Sequence, residues 1–244
     1  MITPAKQEYI NRLVSECLSE DGEALELKGK FIADEGVEAL VNAGGLEEVI
    51  DLDLSKNSIT HKGARHLAAC KRFHNLKRLY LGENSLGDKG VTALVEAEYI
   101  DGLAVLDLRF NDFGPVGGQA IAGSDRFRKL QILILQENNV GDDVLITIAK
   151  SPTFANLRKL NVYRTDITPR AVKVVARSKV LSRLKYLNLA RNYLFEEGAR
   201  ALAASKTLTN VETLLLFDTG IREAGARVIA ESPTFAKLKT LRVT

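Results

Sequence analysis

Pairs of apolar residues one position apart recur along the chain at a constant spacing of 27 residues: Leu25/Leu27, Leu52/Leu54, Leu79/Leu81, Leu106/Leu108, Leu133/Leu135, Leu160/Val162, Leu187/Leu189, Leu214/Leu216 and Leu241/Val243. Apolar residues alternating with outward-facing ones predict short strands with these side chains turned inward. Nine strands are therefore expected. After each strand the period changes from two to helical. Val91, Leu94 and Val95 stand at i, i+3, i+4, and Leu40, Leu67, Ile121, Ile148, Val175, Leu202 and Ile229 fill the Leu94 slot elsewhere, which predicts a helix with one apolar stripe in each unit. Thr60 and Thr168-Pro169 mark helix starts, because a threonine oxygen caps free N–H groups and proline removes one. Glycine recurs in the first helical turn at positions 36, 63, 90, 117, 198 and 225, where a missing side chain permits close approach.

Strands joined through helices run parallel. They stack at ~4.8 Å whereas helices pack at ~8–10 Å, so the array bends with its helices outside. The expected architecture is an α/β solenoid, a horseshoe with a concave parallel β-sheet and convex helices. The same ruler places Lys30, Asn57, Asn84, Asn111, Asn138, Thr165, Asn192 and Thr219 where each strand ends. An asparagine amide has donors and an acceptor, and backbone leaving a sheet needs partners. Asn57, Asn84, Asn111, Asn138 and Asn192 are read as a structural ladder bonding their own turn and the next. Threonine makes fewer such bonds, so looser corners are expected at Thr165 and Thr219.

The frame Leu79-x-Leu81-x-x-Asn84-x-Leu86-Gly87-Asp88-x-Gly90-Val91-x-x-Leu94 resembles the leucine-rich repeats of the ribonuclease-inhibitor-like class. The resemblance covers residues 22–244, and the uniform 27-residue length resembles bacterial members of the class. It implies a scaffold that binds other proteins on its concave face. The class also includes GTPase-activating proteins for the small GTPase Ran, so regulation of a small GTPase is a second expectation. No catalytic residue carries over, and no acidic tail of that kind is present. Residues 1–21 are expected to form a capping helix, with Thr3-Pro4 as its start and Tyr9, Ile10, Leu13, Val14, Cys17 and Leu18 as its stripe. Residues 22–244 are expected to form eight full repeats and a final strand. The bare edge at that strand offers a third reading, self-assembly, although a monomer is expected rather than a homo-oligomer.

Composition narrows this little further. With 34 basic and 31 acidic residues the net charge is +3, too balanced to imply nucleic acid. No apolar run is long enough to span a bilayer. The first residues show no secretory pattern, so a cytoplasmic setting is expected, with signal-less export to a host left open. Cys70 stands where other units have Ala or Ser and is read as a small core residue; two cysteines make no disulfide framework. His66 and Cys70 are spaced i, i+4 but belong to one unit, so no metal is expected. Asp51 and Asp53 share a strand face, yet an open concavity gives no reason for the pKa separation an acid–base pair needs. Neither a cofactor nor an enzyme activity is expected.

Function is sought instead among residues free of core duty. The N-terminal half of the concave register is charged, with Glu26, Asp51, Asp53 and Asp107 beside Arg78 and Arg109. The C-terminal half carries Ile132, Ile134, Tyr163, Tyr186, Leu215 and Phe217, with Phe110, Arg164 and Arg191 on the adjoining loop row. Exposed apolar and aromatic groups with arginine are the composition of protein-binding hot spots. These nine residues are the expected site for a protein partner. Finally, 151–160 (SPTFANLRKL) resembles 232–241 (SPTFAKLKTL), which suggests duplication of a three-unit block.

Overall fold

The computed structural model describes residues 2–243; Met1 and Thr244, the last member of the concave register, lie outside the described residues. The strands are β1 (Ala24–Glu26), β2 (Asp51–Asp53), β3 (Arg78–Tyr80), β4 (Val105–Asp107), β5 (Ile132–Ile134), β6 (Lys159–Asn161), β7 (Tyr186–Asn188), β8 (Thr213–Leu215) and β9 (Thr240–Arg242). They form one parallel sheet in chain order, each residue paired with the one 27 positions on, so that Leu25 faces Leu52 and Leu52 faces Leu79. Exact repetition of the leucines produces this register, since a one-residue slip would turn every leucine to water. The helices are α1 (Pro4–Cys17), α2 (Ala33–Leu40), α3 (His61–Ala69), α4 (Gly87–Val95), α5 (Pro115–Gly123), α6 (Gly141–Lys150), α7 (Pro169–Val175), α8 (Phe195–Ala203) and α9 (Glu223–Ala230). Unit 1 is counted from β1 and unit 8 from β8. The core between the layers runs without a break from Ile10 to Phe235. α1 starts at Thr3, whose side chain accepts from Lys6 N, and it buries Ile10, Leu13 and Val14 beside α2.

The ladder asparagines are buried. Asn138 donates to the carbonyls of Leu135 and Gln136 in its own turn and of Leu108 in the preceding one, at 2.9, 3.2 and 2.9 Å, and its Oδ1 accepts from Asn111 N at 2.9 Å. The bonds thus reach back to the preceding unit, not forward to the next, because the amide stands at the exit of its own strand and faces the turn already laid down. Among the described residues, Thr165 Oγ1 donates only to Val162 O, and Thr219 Oγ1 only to Leu216 O. A second ladder lies at the opposite corner, where Ser178, Ser205 and Ser232 donate to the carbonyls of Ala149, Ala176 and Ala203 at 2.5–2.6 Å. Cys70 holds the same register and is buried, and that burial pushes its thiol pKa up.

Identical unit lengths conceal an alternation. In units 3, 5 and 7 the third residue after the ladder position is left-handed (Gly87, Gly141, Phe195) and already belongs to the helix. In units 2, 4, 6 and 8 the left-handed residue comes two earlier (Ser58, Asp112, Asp166, Gly220), and Thr60, Gly114, Thr168 and Arg222 are extended N-caps. Unit 1 has both Phe31 and Ala33 left-handed and starts its helix like the odd units. The carboxylates opening the helices of units 1, 3 and 5 (α2, α4 and α6) cap the helix of the following unit (α3, α5 and α7). Asp34 accepts from Thr60 N and Gly63 N at 2.7 and 2.9 Å, Asp88 from Gly114 N and Gly117 N at 2.9 and 2.7 Å, and Asp142 from Thr168 N at 2.7 Å. One anion therefore sits beside two helix N-termini, where the backbone dipoles favour it.

Candidate functional site

The concave face is built from the outward residues of the strands and the first residues after them. Part of it serves the scaffold. Asp53, Asp107, Asn161 and Asn188 occupy one row, and each accepts a bond from the N–H two residues on, at 2.8–3.1 Å. These side chains close the end of the strand, so Asp53 is not free to form an acid–base pair with Asp51. In the N-terminal half the charges also consume one another. Arg78 holds Asp51 at 2.5 Å, and Arg109 folds over Gly82 onto the fully buried Asp107. A Cβ at Gly82 would lie 2.9 Å from Arg109 Cγ, so glycine makes room for that arginine.

In the C-terminal half, small and large residues alternate to different effect. Tyr163, Ala190 and Phe217 are successive members of one row. The two rings meet over the alanine with centroids 5.9 Å apart, Ala190 is fully covered, and the Arg191 guanidinium lies 5.7 Å from the Tyr163 ring while holding Asp218 at 3.2 Å. Tyr186 receives Lys159 over its ring at 4.7 Å. Burial pushes the Tyr186 phenol above its usual pKa, so it remains a neutral hydrogen-bonding group. Ile132 and Leu215 are half-buried beside this group, whereas Ile134 is 8% exposed and offers little surface. Arg164 pairs with Glu137 at 2.9 Å. Phe110, 41% exposed, is separated from Arg164 along its row by Glu137 and stands apart from the ring pair.

Two further aromatic residues lie outside the strand register, on the loop that follows Arg191. The loop bearing Arg191 continues through Tyr193 and Phe195, which are 60% and 53% exposed. Phe195 is left-handed with φ 51°, and its ring covers Gly220, where a Cβ would approach within 2.8 Å. A bulky residue in this conformation costs on the order of 1 kcal/mol. A comparison of units carries the signal: Tyr193 stands where Ser58, Ser85 and Asn139 do, and Phe195 where Gly87 and Gly141 do.

A family model described as leucine-rich repeat matches residues 74–95 and 103–122, within units 2 to 4. Strand pairing at one register carries that frame through all nine strands. The fold is a leucine-rich repeat solenoid. Its solenoid is similar to the crystal structure of internalin C2 from Listeria monocytogenes, with a TM-score of 0.63 and 21% identity over 99% of this chain and 92% of that one. At this identity the likeness concerns the fold. No curated protein matches the sequence. Among the described residues of this leucine-rich repeat array, no helix is long and apolar enough to cross a membrane.

Proposed function

We infer that this leucine-rich repeat solenoid is a non-enzymatic interaction scaffold. It captures a protein partner on the C-terminal half of its concave face and the adjoining loop of unit 7. The observation that carries the reading is the exposed pair Tyr193 and Phe195 on the loop that follows the half-buried rings of Tyr163 and Phe217 and the Arg191 guanidinium. Tyr163 and Phe217 meet ring to ring, Phe195 is held left-handed over Gly220, and no core gains from Tyr193 or from the conformation of Phe195. Rigid aromatic groups beside arginine lose little freedom on binding and bury large areas.

The double substitution Tyr193→Ser, Phe195→Gly restores the residues that other units hold at these registers, so the fold should tolerate it. Partner captured from the native cell and identified by mass spectrometry should bind the variant about thirtyfold more weakly, the loss of one hot spot. Thermal melting should be unchanged or higher. Equal affinity for the same partner would remove unit 7 from the site. Truncating Tyr163 and Phe217 is a less clean test, because their mutual contact contributes about 1 kcal/mol to stability.

A further inference from the structure

The opposite edge of the sheet, where strands begin, carries a feature the concave reading does not use. Lys77, Ala104, Gln131 and Arg158 are successive members of one row, tied by backbone bonds of 2.8 Å from each to the next. One row earlier stand Asn75, Gly102, Lys129 and Asn156. Asn75 and Asn156 each donate to a carbonyl of the preceding unit and fill the corner. Gly102 cannot do this. A Cβ there would sit 2.9 Å from Leu76 O and 3.8 Å from Lys77 Nζ, so the backbone passes too close for a side chain. With Ala104 as the next residue of the floor, a cleft of about 360 Å³ opens, lined by Lys77, Gly102, Ala104, Lys129, Gln131, Asn156 and Arg158.

No carboxylate lines this cleft, and among the described residues Lys77, Lys129 and Arg158 form no ion pair. Glu98 and Asp101 line a neighbouring cleft that Lys77 and Lys129 also border, and they are held by Lys71 at 3.6 Å and Arg126 at 2.5 Å. Three cations left unneutralised around a floor of two small residues call for a compact anion of more than one charge. A phosphomonoester carries about −1.5 to −2 near neutral pH and offers three acceptor oxygens. An arginine fork and lysine point charges are the usual means of holding it.

We propose that the cleft formed where units 2 to 5 return to the strands β3 to β6 is a binding site for a phosphomonoester group. Lys77, Lys129 and Arg158 supply the charge, and Gln131 supplies an amide donor. The site is independent of the protein-binding face.

The test is titration of the isotope-labelled chain with inorganic phosphate near neutral pH at low ionic strength, followed by NMR. Saturable shifts are expected at the amides of Gly102, Ala104 and Gln131, and sodium chloride at matched ionic strength should not reproduce them. Lys77→Gln with Arg158→Gln should weaken binding about tenfold or more, as expected for two lost charge-assisted bonds. Ala104→Leu keeps every cation but fills the floor and should weaken binding comparably; its own melting curve shows that it is folded. Two further probes identify the source of the group. Binding of glycerol phosphate without cosedimentation on phosphatidic acid vesicles assigns a soluble ligand, and cosedimentation assigns a lipid headgroup to the same site. Absence of saturable shifts, full retention of affinity in Ala104→Leu, or stronger competition by an acidic peptide than by phosphate would overturn the proposal.

Discussion

The residue before each ladder position is left-handed in every unit from 1 to 8: Gly29, Lys56, Glu83, Phe110, Glu137, Arg164, Arg191 and Asp218. Only the first is glycine, so seven side chains occupy a conformation glycine would adopt without strain. What they gain is position, since they project from the strand exit as a second row beside the concave face. Lys56 meets Glu83 at 3.2 Å, and the pairs made by Arg164 and Arg191 follow. The strand register was legible because leucine spacing dictates it. Tyr193 and Phe195 were not, because the concave face does not stop where the strand does, and a loop's direction depends on backbone dihedrals that residue spacing leaves open. A different residue-scale cost is Tyr99. It stands where Thr153 and Thr234 do, with its ring edge-on to Phe73, and its hydroxyl is buried with no hydrogen-bond partner among the described residues. Burial raises its pKa far above the usual phenol value, so the group stays neutral and unsatisfied. Tyr99→Phe should therefore raise unfolding free energy in urea by about 1 kcal/mol. A less stable variant would show that the hydroxyl has a partner.

At the scale of elements, the helices of units 2, 4 and 6 each depend on a carboxylate from the helix of the unit before. The arrangement loosens toward the end of the chain: Glu196 replaces the aspartate, Arg222 replaces the cap, and Glu196 pairs with Arg200 at 3.8 Å within its own helix. Sequence spacing did not reveal this dependence, because odd and even units have equal length and, up to unit 6, differ chiefly in whether aspartate or His/Pro follows position three of the loop. The cap has a pH signature. Burial raises the pKa of Asp34, but the Thr60 hydroxyl and the amides of Thr60 and Gly63 outweigh it, and the net shift is downward. A carboxyl depressed on folding contributes stability that is present above its unfolded value, about 4, and lost as pH falls through the folded value. Asp34→Asn should accordingly be less stable by about 1 kcal/mol at neutral pH. Its stability should also fall less steeply than the parent's as pH drops below about 4. Parallel pH profiles would contradict the linkage.

For the whole molecule, the alternation makes the true period two units, 54 residues. The resemblance of 151–160 to 232–241 spans three units, an odd number, and it lies on the return from helix to strand, where the two kinds of unit do not differ. The array therefore has a parity. Excising residues 79–105 would set unit 4 directly after unit 2 and leave the amides of Gly114 and Gly117 without Asp88. Excising 79–132 would set unit 5 after unit 2 and leave every surviving aspartate cap with its recipient. Hydrogen exchange should show Gly114 and Gly117 losing protection in the shorter excision, with Thr60, Gly63 and Thr168 protected in both. Uniform protection would mean that a single unit is interchangeable. A solenoid of this kind lengthens or shortens without injury only by even steps, so the number of turns available to a binding face is quantised in pairs, and that constraint comes from carboxylates on the far side of each loop and not from the sheet that does the binding.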